Sequence, residues 1–432
     1  MARKRDKLKQ LTTGWAGRTL ATGRMAASLG KAAADKVVRQ REAGEGLGSD
    51  LVADLDAMKG LAMKVGQMVS YLDGSLPAET QRVLRKLQQG SQPMAFETLE
   101  PVLVAALGAP VAERFDHLDP EPVAAASIGQ VHRGIIDGHD VAVKIQYPGV
   151  QQTFAVDLGT FGRVGRLAAF GTALDVRSLV AELKERLDEE CDYEREARAQ
   201  HLFRQLYADD PRTIVPSVIP THCAPTVLTS SWEEGMSFYD FVEQSSEAQR
   251  TEVAERVFRF AFRNIFHHGV LHGDPHPGNL RIRDEGVVFL DYGCVRFFEP
   301  GHVEAWKALA WCTLEGRRAD LPEVTAATGF VPDPDRYDWD AHWEVMQYLY
   351  EPFTQPRFTY THDYVRRSYD LMSMNNPNWR RTAMPPAWLL TNRLQWGLNS
   401  ILALLGVEAD FATFYRECLS MDYVPAELPE HL

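Results

Sequence analysis

His272-Gly273-Asp274-Pro275-His276-Pro277-Gly278-Asn279 is followed by eleven residues that read as a strand and turn, and then by Asp291-Tyr292-Gly293. Each polar position suits one task in handling a phosphate chain. A carboxylate at Asp274 can sit beside an attacking oxygen. One loop turn later the amide oxygen of Asn279 can hold Mg²⁺, and Asp291, delivered from the next hairpin, can bridge that metal to phosphate. One such element arises easily by chance; the ordered set is specific.

The 432 residues have room for one large two-lobed domain or two or three smaller ones. A chain that is 45% hydrophobic and 24% charged can build a sizeable core. The net charge of −13 is uneven: residues 1–41 hold eleven Lys/Arg against Asp6 and Asp35, so this arm carries +9 and the remainder −22. An acidic body speaks against nucleic-acid binding, while the basic arm suits an anionic lipid surface or plain solvation. Cys191, Cys223, Cys294, Cys312 and Cys418 form no CxxC pair, which fits a reducing compartment rather than a disulfide framework or zinc ribbon. No signal-peptide apolar region and no apolar run of about 18 residues is visible. The nearest candidate, Trp388–Gly406, contains Asn392, Arg393, Gln395 and Asn399 and reads as a packed helix. The expected location is cytoplasmic, with any membrane contact peripheral, at the inner face.

Helical spacing runs through residues 50–72 (Leu51, Leu55, Met58, Ala62, Val65, Val69), and two more helices are predicted near 78–89 and 96–107. Residues 121–146 then read as short strands around an Asp137-Gly138 turn, ending in Val141-Ala142-Val143-Lys144. A long charged helix is predicted over 176–208, strands over Thr213–Ile219 and Thr226–Ser230, and mostly helices from 247 onward. The expected division is a basic arm (1–47), a helical extension (48–112), a small sheet plus long helix (113–232) and a helical remainder with the Asp274 loop (233–432). The fold class is α+β. Its order matches a bilobal protein kinase with a helical extension at the N-terminus.

Lys144 ends its strand where protein kinases keep the lysine that neutralises the α- and β-phosphates. Upstream, Ala124-Ala125-Ala126-Ser127 occupies the place of a phosphate loop, with alanines where glycines would bring backbone amides closest. Within Glu190-Cys191-Asp192-Tyr193-Glu194-Arg195-Glu196 a carboxylate should pair with Lys144; Glu196 is the first choice and Glu190 the second. Lys64 and Gln67 stand at i and i+3 on one helix face. His267, His268, His272 and His276 match no zinc spacing, and the proline-bracketed His276 reads as loop scaffolding.

The combination of Lys64-Val65-Gly66-Gln67, the Ala124–Ser127 run, Val141–Lys144, Glu190–Ala197, His272–Asn279 and Asp291–Gly293 resembles the UbiB/AarF/ADCK family of atypical, Coq-kinase-like kinases. The match runs in order from about residue 50 to 300. The resemblance implies a protein-kinase-like fold whose Lys64–Gln67 helix packs over the active site, with Lys64 meeting Glu190 and Asp192 in a regulatory contact. It also implies ATP and Mg²⁺ binding, ATPase activity, and support of isoprenoid-quinone biosynthesis at a membrane. Contacts with anionic or prenyl lipid and with quinone-biosynthesis enzymes would follow. By position, Ser231, Trp232, Glu233 and Glu234 would face adenine. Tyr292 stands where protein kinases have phenylalanine and Gly273 where they have arginine, and no Ala-Pro-Glu motif follows. A peptide-docking platform is therefore missing, and a protein substrate is not expected. Two other readings fit the Asp274–Asn279 logic: a small-molecule phosphotransferase of the aminoglycoside or choline kinase type, and a nucleotide-sensing pseudokinase scaffold.

Overall fold

Three strands carry Lys144 into place. In the computed structural model, which describes residues 93–126, 128–152, 184, 188–372, 376–383, 385 and 388–432, β1 (His117–Ala125), β2 (Gly129–Ile136) and β3 (His139–Gln146) form an antiparallel sheet. The β2–β3 turn is Asp137-Gly138, at φ 50° and 75°. Two successive left-handed residues match the twist of the flanking strands and fix their register at Ile136↔His139 through Gly129↔Gln146. β4 (Val227–Ser231) joins the far edge of β3.

The chain divides into two compact units: the described residues up to Ala197 with Val218–Trp232, and Arg198–Ser217 with Glu233–Leu432. In the first, alternation along β3 buries Val141, Val143 and Ile145 and sends Lys144 to the other face. Helix α1 (Phe96–Leu107) lays Leu99, Leu103 and Leu107 into the same core and stops at Gly108, whose φ of 69° suits a glycine cap. The entry to α1 is held by a side chain. Met94 N–H donates to Gln130 Oε1 (2.8 Å), and Gln130 Nε2 donates to Met94 O (3.2 Å). The same amide nitrogen lies 2.9 Å from His132 Nε2, while His132 Nδ1 donates to the Asp119 carbonyl (2.7 Å). Gln130 and His132 are both 0% exposed, so their side chains bond without competition from water.

The long helix expected over 176–208 is broken at Cys191-Asp192 among the described residues. Helix α2 begins afresh at Tyr193 and runs to Leu206. Asp192 causes the restart: its carboxylate accepts the N–H of Arg195 (2.9 Å), as an N-cap aspartate does. The expected unit boundary also shifts. Arg198–Ser217 belongs to the second unit because Ala199, Phe203, Tyr207 and Val215 are buried in its core, and Thr213–Ile214 pairs in parallel with Val287–Val288. The strand expected over Thr213–Ile219 is accordingly only Thr213–Ile214.

The second unit is built on helix α3 (Glu247–His268), opened by a Ser246/Gln249 capping box and closed by Gly269 at φ 64°. One face of α3 (Val257, Phe258, Ala261, Ile265) is buried in a core that also takes in the helices Pro300–Leu314, Trp339–Thr354 and Phe411–Leu419. From Gly269 the chain enters β5 (Val270–His272), then the hairpin β6 (Leu280–Arg283) and β7 (Gly286–Phe289), then β8 (Val295–Phe297), which returns to pair with β5. Helix α4 (Leu389–Leu405) is the packed helix expected near 388–406. Among the described residues no helix is long and apolar enough to cross a membrane.

Candidate active site

In the first unit, Lys144 Nζ lies 2.6 and 2.8 Å from the two carboxylate oxygens of Glu196. The lysine side chain is 18% exposed and the glutamate 3%. The ion pair thus falls on Glu196, in the first turn of α2. Lys144 Nζ also stands 5.0 Å from the ring centroid of Tyr193, near enough for a cation–π contact. Burial raises the Tyr193 hydroxyl far above the ordinary tyrosine pKa, so the ring acts as a neutral wall. Gly129 makes room for it: a β-carbon there would press on the Ile145 carbonyl and stand 2.7 Å from the Tyr193 hydroxyl.

Ala124 and Ala125 are not loop residues. They close β1, opposite Val131 and Gln130, and only at Ala126 does the chain turn, with Ala126 N–H donating to Gly129 O (2.8 Å). A β-bulge between Pro122 and Ala124 brings this end of the strand round. Ser127 lies outside the described residues. At the opposite edge Ser231 pairs with Val141, and Trp232 N–H donates to Asp140 O (3.0 Å). The Arg133 guanidinium, held by Asp140 at 3.0 Å, lies 5.0 Å over the Trp232 ring.

In the second unit Glu233 pairs with Arg283 at 2.8 Å, and Glu234 is exposed. Two main-chain bonds and one from a side chain tie the Asp274 loop to the Asp291 turn there. Gly273 N–H donates to Cys294 O (2.7 Å), extending the β5–β8 pairing. Leu290 N–H donates to Asn279 O (3.0 Å), extending the Leu280↔Phe289 register of the hairpin, so Asn279 is set beside the residue preceding Asp291. His272 Nε2 donates to the Asp291 carbonyl. The eleven-residue spacing is therefore the length of a hairpin with Asn279 at one end and Asp291 just past the other. Asn279 ends a 3-10 turn, Pro277–Asn279, capped by His276, whose Nδ1 accepts from Gly278 N–H (3.0 Å). The main chain of Asn279 is held at both ends, its N–H on His276 O and its carbonyl on Leu290 N–H. Asp291 Oδ1 accepts from Gly293 N–H (3.0 Å). Tyr292 is buried between Phe203 and His272, and its hydroxyl donates to Phe289 O (3.1 Å), which accommodates tyrosine where phenylalanine is usual. Asp274, half-buried, lines a cavity with His276, Asn279 and four leucines.

Glu190 is half-buried just ahead of α2, and Asp192 is engaged as its cap. Lys64 and Gln67 lie outside the described residues, as does the whole helical extension before Pro93. Sequence reading missed the supporting roles of His272 and Gln130, because only their hydrogen-bond partners, distant in sequence, separate them from ordinary strand residues.

A strand lysine held by a buried helix glutamate, and a catalytic-type loop tied to an Asp-Tyr-Gly turn, are parts of a protein-kinase-like α+β fold. The chain matches the ABC1 atypical kinase-like domain over residues 86–319, more than half its length, and belongs to that family. It is 32% identical over 305 residues to the mitochondrial atypical kinase COQ8 of Saccharomyces cerevisiae, covering 68% of this chain and 60% of the yeast protein. It is 31% identical over 309 residues to the mitochondrial atypical kinase COQ8B of Rattus norvegicus, covering 70% and 58%. The matched region thus spans about three fifths of each relative's length. Among solved structures, the complex of Rv3197 with erythromycin from Mycobacterium tuberculosis is similar at a TM-score of 0.67 and 28% identity, covering 93% of this chain and 99% of that one.

Proposed function

We propose that this chain is an ATP-dependent atypical kinase or ATPase that supports isoprenoid-quinone or other prenyl-lipid biosynthesis. The observation that carries the reading is the Lys144–Glu196 pair, whose two bonds of 2.6 and 2.8 Å hold an ammonium at the strand position where phosphate is gripped in kinases. The donors offered by Asn279 and Asp291, an amide oxygen and a carboxylate, are hard ligands of the kind Mg²⁺ takes. Mg²⁺, when bound, would neutralise phosphate charge. Lys144 would bind the α- and β-phosphates, with Ala124, Ala125, Ala126 and Ser127 lining their approach and Ser231, Trp232, Glu233 and Glu234 contacting adenine. Asp274 would orient the attacking hydroxyl or water and take its proton. Lys64 and Gln67, with Glu190 and Asp192, would regulate access.

The pathway follows from the relatives' family. The partners would be quinone-biosynthesis enzymes and an anionic or prenyl-lipid surface, met peripherally by the basic 1–41 arm. The test is steady-state phosphate release from Mg·ATP by the purified chain. Asp274→Asn should lower it by roughly 10²–10⁴-fold while nucleotide binding survives. Equal turnover in the variant removes Asp274 from the chemistry, and a wild-type chain that binds ATP without turnover is a scaffold. Quinone profiling of a deletion strain tests the pathway separately.

A further inference from the structure

Glycine in the middle of a helix weakens it relative to alanine, so a buried one calls for a reason. Gly397 lies in the interior of α4 and is buried. A β-carbon built on it would stand 2.6 Å from Pro275 Cγ and 2.7 Å from the Pro275 carbonyl oxygen. Pro275 directly follows Asp274. We infer that Gly397 is a positioning residue for the catalytic loop: the bare backbone of α4 seats Pro275 and thereby fixes the placement of Asp274.

The geometry around the contact supports this. Leu394, Leu398 and Ile401 fall with Gly397 on one helix face by their i, i+3, i+4, i+7 spacing. Those three side chains line a cavity whose other wall includes Asp274, His276 and Asn279. The loop is thus open beneath its polar residues and supported by helix backbone at Pro275. The proline ring fixes its own φ, so a push on the ring or its carbonyl passes into the flanking residues rather than being absorbed. Any side chain at 397 would move the loop, and a displacement of about 1 Å at a reacting group can cost on the order of 100-fold in rate.

The inference rests on the ATP-dependent reading for its kinetic test, and a second readout frees it from that dependence. In the full chain, Gly397→Ala should lower kcat for ATP hydrolysis by about 10- to 100-fold and leave nucleotide affinity within about twofold. Hydrogen exchange at Gly278 and Asn279, whose amides bond to His276 (3.0 and 2.9 Å), should speed up. Gly406→Ala is the stability control. It strains the same helix at its left-handed cap, φ 59°, where the nearest group is 3.9 Å away. It should lower the melting temperature without changing kcat. The double variant Gly397→Ala/Pro275→Ala removes the ring from the clash and should recover part of the lost turnover. A folded Gly397→Ala with wild-type kcat and wild-type loop exchange overturns the inference, as does a kcat loss that Gly406→Ala reproduces at equal melting temperature. If the wild-type chain hydrolyses no ATP, the proposed function falls, and loop exchange alone decides this one. If Gly397→Ala does not fold, Pro275→Ala, which vacates the contact from the loop side, should still speed loop exchange; unchanged exchange there also overturns it.

Discussion

His272 donates its Nε2–H to the main-chain carbonyl of Asp291, nineteen residues further along the chain. A carbonyl only accepts, so the bond fixes the tautomer of a buried imidazole: Nε2 carries the proton. The histidine opening one motif thereby orients the backbone of the aspartate opening the other.

His272→Phe removes the donor and leaves a carbonyl without this partner. Loss of such an outer-shell bond commonly costs about 10–100-fold in metal affinity. The Mg²⁺ concentration for half-maximal ATP turnover should rise by about that factor, and His272→Gln, which keeps an N–H, should rise less. A Mg²⁺ titration of the three proteins decides it, and identical midpoints would remove His272 from metal positioning.

Lys144→Met leaves Glu196, 3% exposed, as a buried carboxylate without its cation. Breaking one side of a buried pair costs about 3–5 kcal/mol, whereas replacing both partners with apolar residues is often neutral. Lys144→Met should therefore be strongly destabilised in urea, and Lys144→Met/Glu196→Leu should regain much of that stability without regaining nucleotide turnover. Equal stability of single and double variants would show that the pair is not held as described.

Gly129→Ala places a methyl against the Ile145 carbonyl and the Tyr193 hydroxyl. A main-chain oxygen cannot swing aside, so overpacking of about 1–3 kcal/mol is expected. Adding Tyr193→Phe removes the hydroxyl but not the carbonyl, so it should not restore the melting temperature. A full rescue by Tyr193→Phe would assign the whole strain to the hydroxyl.

Burial pushes the His342 imidazole down from 6.5 to about 4. The folded chain therefore stays neutral at this position while the unfolded chain takes up a proton. The stabilisation is complete above about pH 6.5 and is lost as pH falls toward 4, with a slope approaching about 1.4 kcal/mol per pH unit for one group. His268, similarly lowered to about 4, adds to the same window. Urea unfolding at several pH values should show a flatter acid limb for His342→Asn than for the wild type, and parallel limbs would mean His342 does not titrate with unfolding.

Much of the fold was legible because its signals are local. The Asp137-Gly138 turn, the alternation of Val141, Val143 and Ile145, and the helix Phe96–Leu107 follow from φ preference and periodicity within a few residues. The helix break at Cys191-Asp192 was hidden because Asp192, a good cap, sits in a run of Glu and Arg that are good helix formers, so the charged stretch reads as one continuous helix. The membership of Arg198–Ser217 depends on aromatic burial around Phe203 and Tyr207, which propensity does not encode. Of the site, the charge-bearing residues stood out by motif. Their supports did not: Gly397 acts through an absent side chain, and His272 through a backbone oxygen.

Strand pairing is ordinarily beyond the reach of point mutation, since every residue but proline brings the same peptide group. At Met94 that immunity is suspended, because the groups answering its N–H and carbonyl belong to the side chain of Gln130. One codon there governs a contact that elsewhere belongs to the chain itself. Glutamate would supply the acceptor and lose the donor, and asparagine would be one carbon short. The start of Phe96–Leu107 thus hangs on the identity of a single side chain that is 0% exposed.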